Sequence, residues 1–275
     1  TRPAVGLSGS GMDLPPALLL GMVQGLTEWL PVSSSGHLVI FEHLSGVRPP
    51  LFFNIALHLG TLFAAGWLLR EDILRALRAT PRALRTFRDG TADPDERTVL
   101  LVLLASIPTA IIGYSFDTLA TGWLGSLRIT GAGLLVTASV LWLSRGRGGT
   151  HDTATVPFTV GAWMGLAQGL AVLPGLSRSG LTIAAGMAAG MRPVAAARLS
   201  FLMSMPAIIG ATGLELLQDR EGALAGVAPV EFLLGVAAAA ITGFLALRWL
   251  LLLVEQRRFH WFAPYCGVVG LALLV

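Results

Sequence analysis

The chain has 275 residues, 54% hydrophobic and 13% charged, with a mean hydropathy of +0.72 and a formal net charge of +3. That balance excludes an ordinary soluble domain and predicts one polytopic α-helical membrane unit, with no room for a separate soluble domain. All 19 basic residues are arginine and sit beside apolar runs without a binding motif, which excludes nucleic acid, and the single cysteine, Cys266, excludes an internal disulfide.

Taken in chain order, residues 1–11 start without methionine and are expected to be a flexible terminus, trimmed or left from expression. Residues 14–30 form an apolar helix interrupted by Gln24 and Glu28 and stopped by Pro31. Gln24 and Glu28 are four apart and share one helix face. Ser33, Ser34, Ser35, Gly36 and His37 follow. A carboxylate, hydroxyls and an imidazole together at membrane depth are costly, so a functional site is the default reading.

A span at 51–69 carries Asn54 and His58 near its start. Residues 70–97 hold seven arginines (Arg70, Arg75, Arg78, Arg82, Arg85, Arg88 and Arg97), and 71–88 suits an amphipathic helix on the membrane surface. Spans follow at about 98–116 and 124–143. Residues 157–173 form a second helix stopped by proline, Pro174, and after a Gly/Ser-rich turn comes 181–191. The last spans fall at about 195–217, 230–254 and 260–275.

Arginine placement puts loop 70–97 in the cytoplasm, with Arg145, Arg147, Arg257 and Arg258 on the same side. The count closes only if 14–48 and 157–191 each enter the membrane and return. The predicted fold is therefore all-α: six transmembrane helices plus two re-entrant helical hairpins, with both termini outside.

The hairpins repeat each other. Gly21-Met-Val-Gln24-Gly-Leu aligns with Gly165-Leu-Ala-Gln168-Gly-Leu, and in both copies a glycine stands twelve positions after the glutamine, Gln24 to Gly36 and Gln168 to Gly180. One copy enters from each side, which makes an inverted-topology repeat, about 12–143 and about 156–275 within a single membrane domain 12–275. Such folds place their sites where broken helices meet. Ser177, Arg178, Ser179 and Thr182 should therefore face Glu28 and His37. Helix starts rich in glycine and serine bind anions, an arginine fork matches phosphate oxygens, and a carboxylate beside phosphates suits Mg²⁺ or Ca²⁺. A serine or histidine nucleophile with a base would complete phosphoryl transfer.

Residues 24–37 (Gln-Gly-Leu-Thr-Glu-Trp-Leu-Pro-Val-Ser-Ser-Ser-Gly-His) and 174–182 (Pro-Gly-Leu-Ser-Arg-Ser-Gly-Leu-Thr) resemble the two signature motifs of the undecaprenyl-diphosphate phosphatases, the bacitracin-resistance family. The resemblance runs from about residue 14 to 275. It implies hydrolysis of the C55 isoprenoid diphosphate to its monophosphate, which recycles the lipid carrier of bacterial cell-wall synthesis in the plasma membrane. It implies Glu28 as the essential acid/base or metal-linked carboxylate, and Ser34 as a hydroxyl nucleophile beside Ser33. His37 becomes a proton carrier or alternative nucleophile, and Arg178 a clamp on the diphosphate. Gln24, Ser33, Ser35, Ser177, Ser179 and Thr182 become substrate contacts, and a divalent cation, Mg²⁺ or Ca²⁺, a cofactor. Many relatives carry glutamate where this chain has Gln24, and an amide cannot serve as a base, so the acid/base and metal roles fall on Glu28.

The residues leave other readings open. A polyprenyl-phosphate flippase, alone or combined with the hydrolase, would use the same broken helices, but binding alone does not need Glu28, Ser34 and His37 together. The expected partners are the C55 lipid, membrane lipids and, as an open alternative, a second copy in a homodimer. Gly161, Gly165 and Gly169, like Gly186 and Gly190, suit close helix packing. Asn54, His58 and Gln168 are weaker site candidates. The seven tryptophans and two tyrosines mostly fit an interfacial belt, and His43, His151 and His260 fall near run ends.

Overall fold

The computed structural model describes residues 13–119, 125–218 and 227–275; the expectation for residues 1–11 lies outside them. These residues fold as α1 (Leu14–Trp29), α2 (Ser34–Ser45), α3 (Leu51–Leu68), α4 (Arg70–Asp89), α5 (Pro94–Leu119) and α6 (Leu127–Leu143). The second half holds α7 (Thr159–Leu170), α8 (Arg178–Ala188), α9 (Pro193–Gln218), α10 (Pro229–Glu255) and α11 (Ala263–Ala272), the last preceded by a 3-10 turn at Phe259–Phe262. No strand occurs among the described residues, so the protein is an all-α membrane protein. α3, α5, α9 and α10 are long and apolar enough to cross a bilayer, and α6 is a shorter apolar helix of 17 residues.

Local chemistry sets the two helix breaks. Leu30 precedes Pro31 and is extended at φ −64°, ψ 147°, which ends α1. Ser33 then takes φ 70°, a left-handed conformation that strains a residue with a Cβ, and its Oγ accepts the Gly36 N–H to cap α2. In the second hairpin Gly175 supplies the positive φ, 89°, and Ser177 caps α8 by accepting the Gly180 N–H. That cap starts α8 at Arg178, three residues before the expected 181, because the serine side chain replaces a missing helical partner.

Small residues decide which helices touch. Gly21 and Gly25 bring α1 onto α10 so closely that a Cβ at either would overlap the backbone of Gly235 or Ala239. Gly161, Gly165 and Gly169 do the same for α7 against Leu101, Ala105 and Ile112 of α5. Gly131 of α6 and Gly270 of α11 face each other reciprocally: a Cβ on either would lie 2.9 Å from the other's carbonyl oxygen. Gly186 packs on Ala196, whereas Gly190 has φ 87° and closes the turn after α8, so its role is conformational rather than interhelical. The core between the hairpins holds Trp29, Leu134, Met164, Ile183 and Phe201, all fully buried. Trp29 thus departs from the interfacial belt: it ends the helix that Pro31 stops inside the protein, and its ring meets Phe201 edge-on at 5.6 Å.

Candidate active site

Glu28, on the last turn of α1, is the centre of the polar cluster. Its Oε2 accepts from Gln24 Nε2 at 2.9 Å and from the Ser34 hydroxyl at 2.7 Å. Its Oε1 accepts from Arg178 Nη2 in an ion pair that joins the two hairpins. Both side chains are largely buried, Glu28 6% and Arg178 15% exposed, so this pair is hardly screened by water. The guanidinium also stands 5.2 Å from the centre of the Trp29 ring. Its second nitrogen, Nη1, is buried without a hydrogen-bond partner.

The hairpins are bound to each other by backbone as well as charge. Ser33 Oγ accepts both its own cap bond, Gly36 N at 3.2 Å, and Gly175 N of the other hairpin at 3.1 Å. Ser177 Oγ accepts Gly180 N at 3.1 Å, while its own N–H donates to Thr137 Oγ1, which in turn donates to the Gly175 carbonyl. Ser35 and Ser179 lie 3.3 Å from Ser33 and Ser177 respectively, Ser35 exposed and Ser179 buried. Ser34 and Arg178 are therefore the first residues of α2 and α8. The leading N–H groups of two helices have no partners i−4 and start at one place, a setting that favours an anion.

Three further residues bear on the cluster. His58 Nε2 of α3 lies 3.9 Å from Glu28 Oε2, although the sequence ranks it weakly. His58 is the eighth residue of the 18 in α3, so the Glu28 carboxylate lies beside the middle of that apolar helix rather than at its end. His37 does not touch Glu28. Its Nδ1 donates to the Ser33 carbonyl at 2.8 Å, so Nε2 is the acceptor, and the Tyr265 hydroxyl meets it at 2.6 Å. Tyr265 comes from an apolar run 228 residues away, and no sequence signal marks it. Thr182 is fully buried behind the cluster, donating to the Arg178 carbonyl at 2.7 Å and paired with Ser200 Oγ at 2.6 Å.

The two halves are chemically unequal. Gln168, the counterpart of Gln24, donates to Thr109 and to the Met203 carbonyl, and Val172 stands where Glu28 does in the first half. Asn54 forms no side-chain bond within the cluster, and its Oδ1 is buried and unpartnered.

These donors do not fit a resident divalent cation. The cluster has one carboxylate, both of its oxygens already accept donors, and one of those donors is a guanidinium. No group of three or more His, Cys, Asp or Glu side chains suited to a metal occurs among the described residues. Gln24 Oε1 is unpartnered but fully buried.

Fold and cluster together define an all-α integral membrane protein with a hydroxyl, a carboxylate and a guanidinium bonded in series where two broken helices meet. The family described as bacitracin resistance protein BacA matches residues 17–272. The undecaprenyl-diphosphatase of Desulfosudis oleivorans is 43% identical over 270 residues, covering 94% of this chain and 97% of its own. That of Desulforapulum autotrophicum is 42% identical over 274 residues, covering 96% and 98%, and that of Methanobrevibacter smithii 39% over 272, with the same coverage. This chain belongs to the BacA family.

Proposed function

We propose that this protein is a membrane-embedded hydrolase that converts undecaprenyl diphosphate to undecaprenyl phosphate and inorganic phosphate. The observation that carries this reading is the Ser34–Glu28 bond beside an arginine that retains a buried, unpartnered donor. A hydroxyl bonded to a carboxylate is a nucleophile with its base, whereas a flippase needs only the anion-binding half of that arrangement.

Among the three candidate nucleophiles the geometry favours Ser34. Ser33 Oγ is committed to two backbone N–H groups, and His37 is committed at both ring nitrogens. In the proposed reaction Ser34 Oγ attacks the terminal phosphorus and gives its proton to Glu28. The bond to the bridging oxygen breaks, and undecaprenyl phosphate leaves with the proton that Glu28 returns to that oxygen, so that Glu28 is again a carboxylate. A water deprotonated by Glu28 then attacks the phosphoserine, releasing inorganic phosphate and restoring the hydroxyl. Arg178 Nη1 and the helix starts at Ser34 and Arg178 hold the charge on the equatorial oxygens. Gln24 fixes the Glu28 carboxylate, and Ser35, Ser177 and Ser179 line or support the phosphate end. No step is routed through a cation.

The same proposal includes six spans and two re-entrant hairpins related by an inverted repeat. Its support is the exchange of partners, α1 docking on α10 and α7 on α5, and the reciprocal Gly131–Gly270 contact. The site opens to the outer face of a bacterial plasma membrane, because the arginine-rich segment leaves the far end of α3. The test is a reaction with substrate radiolabelled at the terminal phosphate, quenched in denaturant at neutral pH so that phosphoserine and phosphohistidine both survive. Label should map to the peptide carrying Ser34 and vanish in Ser34→Ala; label on His37, or full turnover by Ser34→Ala, would contradict the assignment.

A further inference from the structure

α4 carries three distinct faces. Ala79 and Ala83 are buried against Val99 and Leu100, near the start of α5. On one flank the arginines are neutralised: Arg75 pairs with Asp72 and, at 3.8 Å, Asp95, and Arg82 with Glu96 at 3.1 Å and Asp93 at 3.8 Å. On the other flank Leu77 and Leu84 are 64% and 68% exposed, and Leu74 and Phe87 about half exposed. Arg78 and Arg85, seven residues apart and so on one line of the helix, run between that apolar flank and the paired arginines. Both are exposed, and neither makes an ion pair among the described residues.

An exposed leucine stripe bordered by unneutralised arginines is costly in water and suits one surroundings, the headgroup boundary of an anionic bilayer. The position agrees. α4 leaves the end of the span α3 after a single residue, and there Arg70 lies over the exposed Trp67 ring at 5.5 Å, an interfacial pairing. We infer that α4 is a lipid-binding helix: Leu74, Leu77 and Leu84 enter the headgroup–acyl boundary, and Arg78 and Arg85 pair with the phosphates of anionic phospholipids. The leucines distinguish this surface from a site for free phosphate, which has no use for them.

The test uses the full chain in bilayers of phosphatidylcholine and phosphatidylglycerol. Cys266, the only cysteine, is replaced by Ala, and a fluorophore is placed at Leu77→Cys or, in a second protein, Leu84→Cys. Brominated acyl chains are then supplied on either lipid. The inference expects quenching by both, stronger for brominated phosphatidylglycerol, with that preference falling roughly fivefold for each arginine removed in Arg78→Gln and Arg78→Gln/Arg85→Gln. Phosphatase activity in detergent should be unchanged in these variants. No quenching at either position would overturn the inference, as would equal quenching by the two lipids that the arginine substitutions leave unchanged. Self-quenching between labelled copies without quenching by lipid would assign the stripe to a second copy of the chain and equally overturn it.

Discussion

Ser34 and Arg178 occupy the same place in two copies of one turn, and both bind Glu28. Each is the first residue of its helix, and each follows a serine whose Oγ accepts an N–H three residues on. One position supplies a hydroxyl to Oε2 and the other a guanidinium to Oε1. The same turn thus carries a hydroxyl in one hairpin and a guanidinium in the other, and only the first hairpin carries the carboxylate they share.

The Glu28–Arg178 pair should behave as a buried ion pair whose loss is worse than its absence. Arg178→Ala or Glu28→Gln leaves one desolvated charge unpaired and should cost about 3–5 kcal/mol. The double variant Glu28→Gln/Arg178→Gln should recover most of that stability while remaining inactive. Thermal unfolding of the purified protein in detergent checks this. Additive losses in the double variant would show that the two side chains are not energetically coupled.

Ser33 and Ser34 are neighbours with opposite expected phenotypes. Ser33→Ala removes a cap and strands the Gly175 N–H, at about 1 kcal/mol for each loss. Ser33→Gly should be milder, because glycine relieves the φ of 70°. Ser34→Ala should leave the unfolding midpoint near the wild-type value and remove turnover. Comparing midpoints and kcat across the three variants separates the roles.

Tyr265 holds His37. In the wild type the imidazole should carry its proton on Nδ1, which ¹⁵N NMR of labelled histidine reports directly. Tyr265→Phe removes the donor to Nε2 and should cost about 1 kcal/mol of stability, the worth of one such bond. A variant with wild-type stability and an unchanged histidine spectrum would show that the Tyr265 hydroxyl does not hold the ring.

The protein without substrate should bind divalent cations weakly. Mn²⁺ titrated into the detergent-solubilised protein should show no tight site by electron paramagnetic resonance, and Glu28→Gln should change nothing. Tight binding lost in Glu28→Gln would contradict the donor inventory.

Much of this site is legible in the sequence because the motifs are local. Gln24 and Glu28 share a helix face by spacing, Pro31 and Pro174 mark the breaks, and the repeated serine turn places Arg178 opposite Glu28. What escapes is whatever depends on packing between distant segments. His58 reaches Glu28 only because α3 lies beside α1, and Tyr265 sits among apolar residues that give no polar signal. Trp29 looks like a belt residue until its helix is seen to end inside the protein. Thr182 looks like a phosphate ligand, yet it turns to Ser200 because the i−4 carbonyl and α9 are nearer than the cluster.

The most direct test is phosphate release from undecaprenyl diphosphate by the wild type, Ser34→Ala and Ser33→Ala, each shown to be folded and to bind the lipid. The account predicts release by the wild type, a loss of roughly a thousandfold or more in Ser34→Ala, and substantial retention by Ser33→Ala. Release by Ser34→Ala at the wild-type rate would contradict the central claim that the hydroxyl bonded to Glu28 attacks the diphosphate.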